Sequence, residues 1–100
     1  MKRISIFEKA GSFAENKDVA RDIRLQEIIP VLERNEEVIV DFKKVEAATQ
    51  SFIHALISDL LRNYGNDVLE NIAFKSCNKT IKKIINIVVD YMQDGMEPGD

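Results

Sequence analysis

The stretch from Val40 to Leu61, VDFKKVEAATQSFIHALISDLL, opens as an apolar strand, breaks into a charged, small-residue loop, and resumes as an amphipathic helix at Thr49-Gln50-Ser51-Phe52. A strand that leads through a loop into a helix is the first half of an α/β crossover, the connection that parallel strands require. At the junction the chain needs a side-chain oxygen for the unpaired N–H groups of the first helical turn, which the polar triplet Thr49-Gln50-Ser51 provides. The same place is a natural address for a phosphate. Projected at 100° per residue, Phe52, Ile53, Leu56, Ile57, Leu60 and Tyr64 share one helix face, and Ser51, His54, Ser58 and Arg62 share the opposite one. The polar face is expected to point outward.

Upstream, Val38 to Phe42 belongs to the run EVIVDF, which is β-branched and lacks strict alternation. That pattern suits a central strand covered on both faces. Before it, Asn16 to Asn35 reads as helical, with a stripe of Leu25, Ile28, Ile29 and Leu32 at i, i+3, i+4 and i+7. Val19, Ala20 and Ile23 project away from this stripe, so the segment is a kinked helix or two helical pieces with different faces. Pro30 lies opposite the stripe, where water can solvate the carbonyl that it frees. RISIF (Arg3 to Phe7) alternates as a half-buried strand with Ile4 and Ile6 on one face.

Downstream, Gly65 and Asn66 stop the helix, and ENIAFKS (Glu70 to Ser76) reads as a third strand. A last helix follows, with Asn78 as N-cap and a core stripe of Ile81, Ile84, Ile85, Val88 and Met92. The order implies a small α/β domain: a central parallel or mixed sheet with about three helices packed on it, over residues 1–94. Residues 95–100 are expected to form a flexible tail. Three strands leave two bare edges, so either a further weak strand hides around Glu8 to Phe13 or another chain covers an edge, a homodimer included.

The chain has 100 residues with 45% hydrophobic content, enough for one domain. Fourteen basic against 17 acidic residues give a net charge of −3, which argues against binding nucleic acid or a membrane surface. Cys77 is the only cysteine, so a reducing compartment, the cytoplasm, is expected. No apolar run approaches the ~20 residues that cross a bilayer, and the start MKRISIFEKAG reads as mature rather than as a signal peptide.

The search for chemistry returns little. The four glycines, Gly11, Gly65, Gly95 and Gly99, form no phosphate-binding loop, so nothing points to a nucleotide or another cofactor. His54, the sole histidine, has no second ligand at metal spacing and reads as a surface residue. Ser51 and His54 lack a third group to orient the histidine and an oxyanion pocket, so catalysis is not expected. Cys77 precedes a helix, where a thiol can be activated, but a lone small cysteine at a strand end reads as packing. Lys75, Lys79, Lys82 and Lys83 gather at the start of the last helix, a solvated basic face that an acidic partner could use. Asp18, Asp22, Glu27 and Glu33 with Arg21, Arg24 and Arg34 read as mixed surface charge on the first helix.

VIVDFKKVEAATQSFIHALISDLL, followed by IAFKSCNKTIKKIINIV, resembles the STAS domain, named for sulfate transporters and anti-sigma-factor antagonists. More closely, it is similar to the STAS-like family of unknown function, which includes small stand-alone bacterial proteins. The resemblance covers about four-fifths of the chain, and its most specific element is Asp41-Phe42, Val45 and the hydroxyl-bearing turn before an apolar helix. In the antagonists that turn carries a serine phosphorylated by a partner kinase; counted from Asp41, it falls on Ser51. The usual turn has an acidic residue, two hydroxyl residues and a glycine, whereas this one has Thr49, Gln50, Ser51 and Phe52. The resemblance thus implies a non-enzymatic regulatory module with a candidate phosphorylation site at Ser51 and a docking surface of Thr49, Gln50, Ser51, His54, Ser58 and Arg62. The implied partner is a histidine-kinase-like ATPase or anti-sigma factor. A small-ligand sensor for nucleotides or lipids, or a structural small subunit, are the alternatives.

Overall fold

Three short parallel strands hold the molecule together: β1 (Lys2–Ser5), β3 (Val38–Asp41) and β5 (Ile72–Lys75), in the spatial order β1-β3-β5. The computed structural model describes residues 2–95, with side chains as far as Met92. β3 is the central strand, as its apolar run predicts, and its register pairs Val40 with Ile4 on one side and with Phe74 on the other. Each neighbouring pair is joined by a crossover containing helix, which fixes the parallel arrangement. The radius of gyration is 12.7 Å, close to the ~13 Å of one compact domain of this length.

Between β1 and β3 the chain forms α1 (Ile6–Ala10), β2 (Phe13–Ala14), α2 (Lys17–Ile23), a π turn (Arg24–Ile28) and α3 (Ile29–Glu33). Between β3 and β5 it forms β4 (Ala47–Ala48), α4 (Gln50–Tyr64) and a 3-10 segment (Asn66–Asn71). Helix α5 (Lys79–Gly95) closes the fold, and α4 packs against both α2 and α5. Residues 96–100, most of the expected tail, lie outside the described residues. The core joins Ile4, Val38, Val40 and Ile72 of the sheet to Ile23, Ile28 and Val31, to Phe52, Leu56 and Leu60, and to Ile81, Ile85 and Val88 of the helices.

The first helical segment differs from its expected stripe. Leu25 is 47% exposed, and the buried set is Ala20, Ile23, Ile28 and Val31. The step from Ile23 to Ile28 is longer than a helical turn, and the π turn absorbs the excess: the Ile29 N–H donates to the Arg24 carbonyl, five residues back. Pro30 supplies the cause, since it has no N–H and its ring crowds the carbonyl four residues before it. It sits half-buried in the first turn of α3 rather than facing solvent, where a missing donor is least costly.

Two further expectations change. The segment Glu8 to Phe13 does not extend the main sheet; Ile6–Ala10 is helical, and Phe13–Ala14 pairs in parallel with Ala47–Ala48 as a separate two-stranded sheet. Tyr64 leaves the buried face of α4, because the helix ends there. Gly65 follows with φ 79° and ψ 179°, a conformation open essentially to glycine alone, and its N–H donates to the Leu61 carbonyl.

Candidate functional site

The carboxyl end of β3 sets the site. Asp41 is buried there; its Oδ1 accepts the Lys43 backbone N–H at 2.9 Å, and its Oδ2 pairs with the guanidinium of Arg3 on the neighbouring β1. A short acid that folds back on the backbone two residues later makes the chain turn out of the strand. The Lys43 N–H holds the carboxyl below its ordinary pKa, with Arg3 and the Lys43 charge adding to this against the opposing effect of burial. Asp41 therefore favours the fold fully above the unfolded value of 3.8, and its contribution is lost as pH falls through the lower folded value. Asp41→Asn is expected to destabilise the protein by roughly 2 kcal/mol near neutral pH, with the gap to wild type closing in acid. Urea denaturation at the two pH values measures both.

From Asp41 to the helix the loop is anchored by backbone and side-chain bonds. The Phe42 N–H donates to the Lys75 carbonyl at 2.9 Å, Glu46 N–H to Ser12 at 2.8 Å, and Thr49 N–H to Ala14 at 2.9 Å. From the other side Asn78 Nδ2 donates to the Glu46 carbonyl at 2.8 Å, while Asn78 Oδ1 accepts the Ile81 N–H at 2.8 Å and caps α5 as expected. Lys44 takes a left-handed backbone, φ 72°, which is uncommon for a residue other than glycine.

At the end of this loop Thr49 is the cap of α4: its Oγ1 accepts the Phe52 N–H at 3.1 Å. Ser51 is in the first turn and exposed, so the capping hydroxyl and the accessible one are different residues. Gln50 is exposed, and His54 is half-buried; the two line an open groove of about 330 Å³ with Val88 and Tyr91 of α5. A second open cleft, of about 320 Å³, lies at the strand ends among Arg3, Ser5, Phe7, Glu8, Lys43 and Lys44. Among the described residues no cluster of His, Cys, Asp and Glu could hold a metal ion.

Ser58 is not on the outer face. It is only 3% exposed, because α4 is flanked by helices on both sides and a serine is too short to emerge between them. It drops out of the docking surface, whereas Arg62 is exposed and donates to Asp59 Oδ1 at 2.7 Å. Arg24, read as surface charge, is buried: its Nη1 donates to the Ala55 carbonyl at 2.7 Å and its Nη2 lies 3.2 Å from Asp59. Its Nε has no partner among the described residues. The hint in the sequence is the spacing of Arg24, four residues after the buried Ala20, which puts it on the same helix face. Cys77 is half-buried, and burial pushes its thiol up, against the pull of Lys82, which fits the packing role.

No helix of the described residues is long and apolar enough to cross a membrane. A parallel sheet whose central strand leads through an Asp-marked turn into a capped amphipathic helix is the frame of a STAS-like domain. A family model described as "STAS-like domain of unknown function (DUF4325)" matches residues 20–82, and the chain belongs to that family. No curated protein and no solved structure matches the chain.

Proposed function

We propose that the chain is a non-enzymatic regulatory module that docks a protein partner at the N-terminal end of α4, through Thr49, Gln50, Ser51 and His54. The observation that carries this reading is the exposed Ser51 hydroxyl at the start of α4, on a loop anchored to β2, β5 and α5. Membership of a STAS-like family supports a regulatory or interaction role. The partner, by resemblance to the anti-sigma-factor antagonists, is a histidine-kinase-like ATPase or anti-sigma factor, and phosphorylation of Ser51 is the switch. A phosphoserine adds about −1.5 to −2 charge, which the helix N-terminus accommodates, so the domain stays folded while its surface changes. Lys43 and Lys44 in the preceding loop are exposed and available to an acidic partner segment.

The test is affinity capture from native cells with mass spectrometry of the partner and of residues 49–51, followed by binding measurements. Ser51→Asp is expected to weaken the complex tenfold or more, about 1.4 kcal/mol, and Ser51→Ala to leave it intact. Equal affinity of wild type and both variants would sink the switch. A small-ligand sensor is the second reading, favoured by the cleft among Arg3, Phe7, Lys43 and Lys44 beside the same loop. Line broadening or shifts of the Lys43 and Lys44 amide signals on adding a nucleotide would support it.

A further inference from the structure

Helix α5 carries one buried face and, beside it, an apolar stripe that the fold covers only at Ile84. Ile81, Ile85, Val88 and Met92 are buried in the core, while on the adjoining face Ile84 is half-buried, Ile87 is 42% exposed and Tyr91 is 64% exposed. With Thr80 these residues are spaced by four, three and four positions, the rhythm of a helix that packs on another helix. Isolated exposed apolar residues are ordinary, but a stripe in this rhythm on one helix marks a contact.

We propose that α5 packs antiparallel against α5 of a second copy of this chain, about a twofold axis between Ile84 and Ile87. In this register Ile84 of each copy stacks on Ile87 of the other, and Tyr91 covers Thr80. Charge selects this occupant. Lys83 and Asp90 are both exposed on the solvent flank of the stripe, one heptad apart, and neither forms a salt bridge among the described residues. Antiparallel pairing brings that flank of one helix against the same flank of the other, so Lys83 of each copy meets Asp90 of its mate. A parallel pairing would instead bring the charges toward the side of Ile81 and Val88, which the core already occupies. The contact is self-complementary and closed, so it yields a dimer rather than a chain of copies. It rests on observations separate from the docking reading at Ser51, and the two contacts are neighbours, because Tyr91 also lines the groove with Gln50 and His54.

Sedimentation equilibrium of the full chain over a range of concentrations tests it. The wild type is expected to dimerise, and Ile87→Asp to raise the dimer dissociation constant at least tenfold. Lys83→Asp alone and Asp90→Lys alone are expected to weaken the dimer, each by placing like charges together. Combining the two is expected to restore it, which a folding defect could not do. Circular dichroism of each variant checks that it is folded. A wild-type monomer throughout would overturn the proposal. So would a dimer insensitive to Ile87→Asp, or charge reversals that fail to compensate.

Discussion

Asp59→Ala is expected to destabilise the protein by about 2 kcal/mol, below the range for a fully buried ion pair because the Asp59 carboxylate stays partly open to solvent while Arg24 does not. The carboxylate serves two arginines: Arg24, buried in the π turn, and Arg62, exposed one turn further along α4. Without Asp59, Arg24 keeps one hydrogen bond, to the Ala55 carbonyl, and leaves a guanidinium charge in the α2–α4 contact. Arg62 loses only an exposed pairing, which contributes little. Because the Arg24 Nε has no partner among the described residues, Arg24→Met should be close to neutral, trading a partly satisfied charge for apolar packing. The double variant, Arg24→Met with Asp59→Ala, should regain most of the loss. Chemical denaturation of the four proteins gives the coupling directly. A penalty for Asp59→Ala that persists in the Arg24→Met background would place its origin elsewhere.

Phe42→Ala is expected to have the larger effect, about 4 kcal/mol, within the range for deleting a buried aromatic ring. Phe42 is fully buried where the chain leaves β3, and its backbone joins β5 while its side chain fills the core beneath the loop. Since a domain has about 5–15 kcal/mol of stability in total, the variant should lose a quarter of it or more. Calorimetry should show a melting temperature lower by roughly 20 °C. Phe42→Leu should lose far less, because most of the volume remains.

The sequence revealed the elements whose pattern is local. The β-branched run at Val38 to Asp41 announces a central strand, Asn78 announces a helix cap, and Gly65 announces a helix stop. The candidate site is legible to the same extent: the hydroxyl-bearing turn lies where the strand-loop-helix pattern puts it, with Ser51 exposed. What was hidden depends on neighbours distant in sequence. A uniform 100° projection cannot foresee the π turn, so it exposes Ile23 and buries Leu25, the reverse of the fold. Nor can it show that Ser58 is walled in by helices on either side of α4, or that Tyr91 arrives beside Gln50 and His54. The two-residue strands β2 and β4 are too short to carry any periodic signal, yet their pairing fixes the loop.

That pairing bears on how quickly and tightly the loop can be recognised. A segment that must be frozen on contact loses part of its interaction energy to ordering, about 0.5–1.5 kcal/mol for each mobile side chain. Here the backbone before Ser51 is already stitched to β2, β5 and α5 in the free protein. If the proposed docking holds, a partner would meet a finished mould, and its dissociation rate, rather than a slow folding of the loop around it, would set how long the contact lasts.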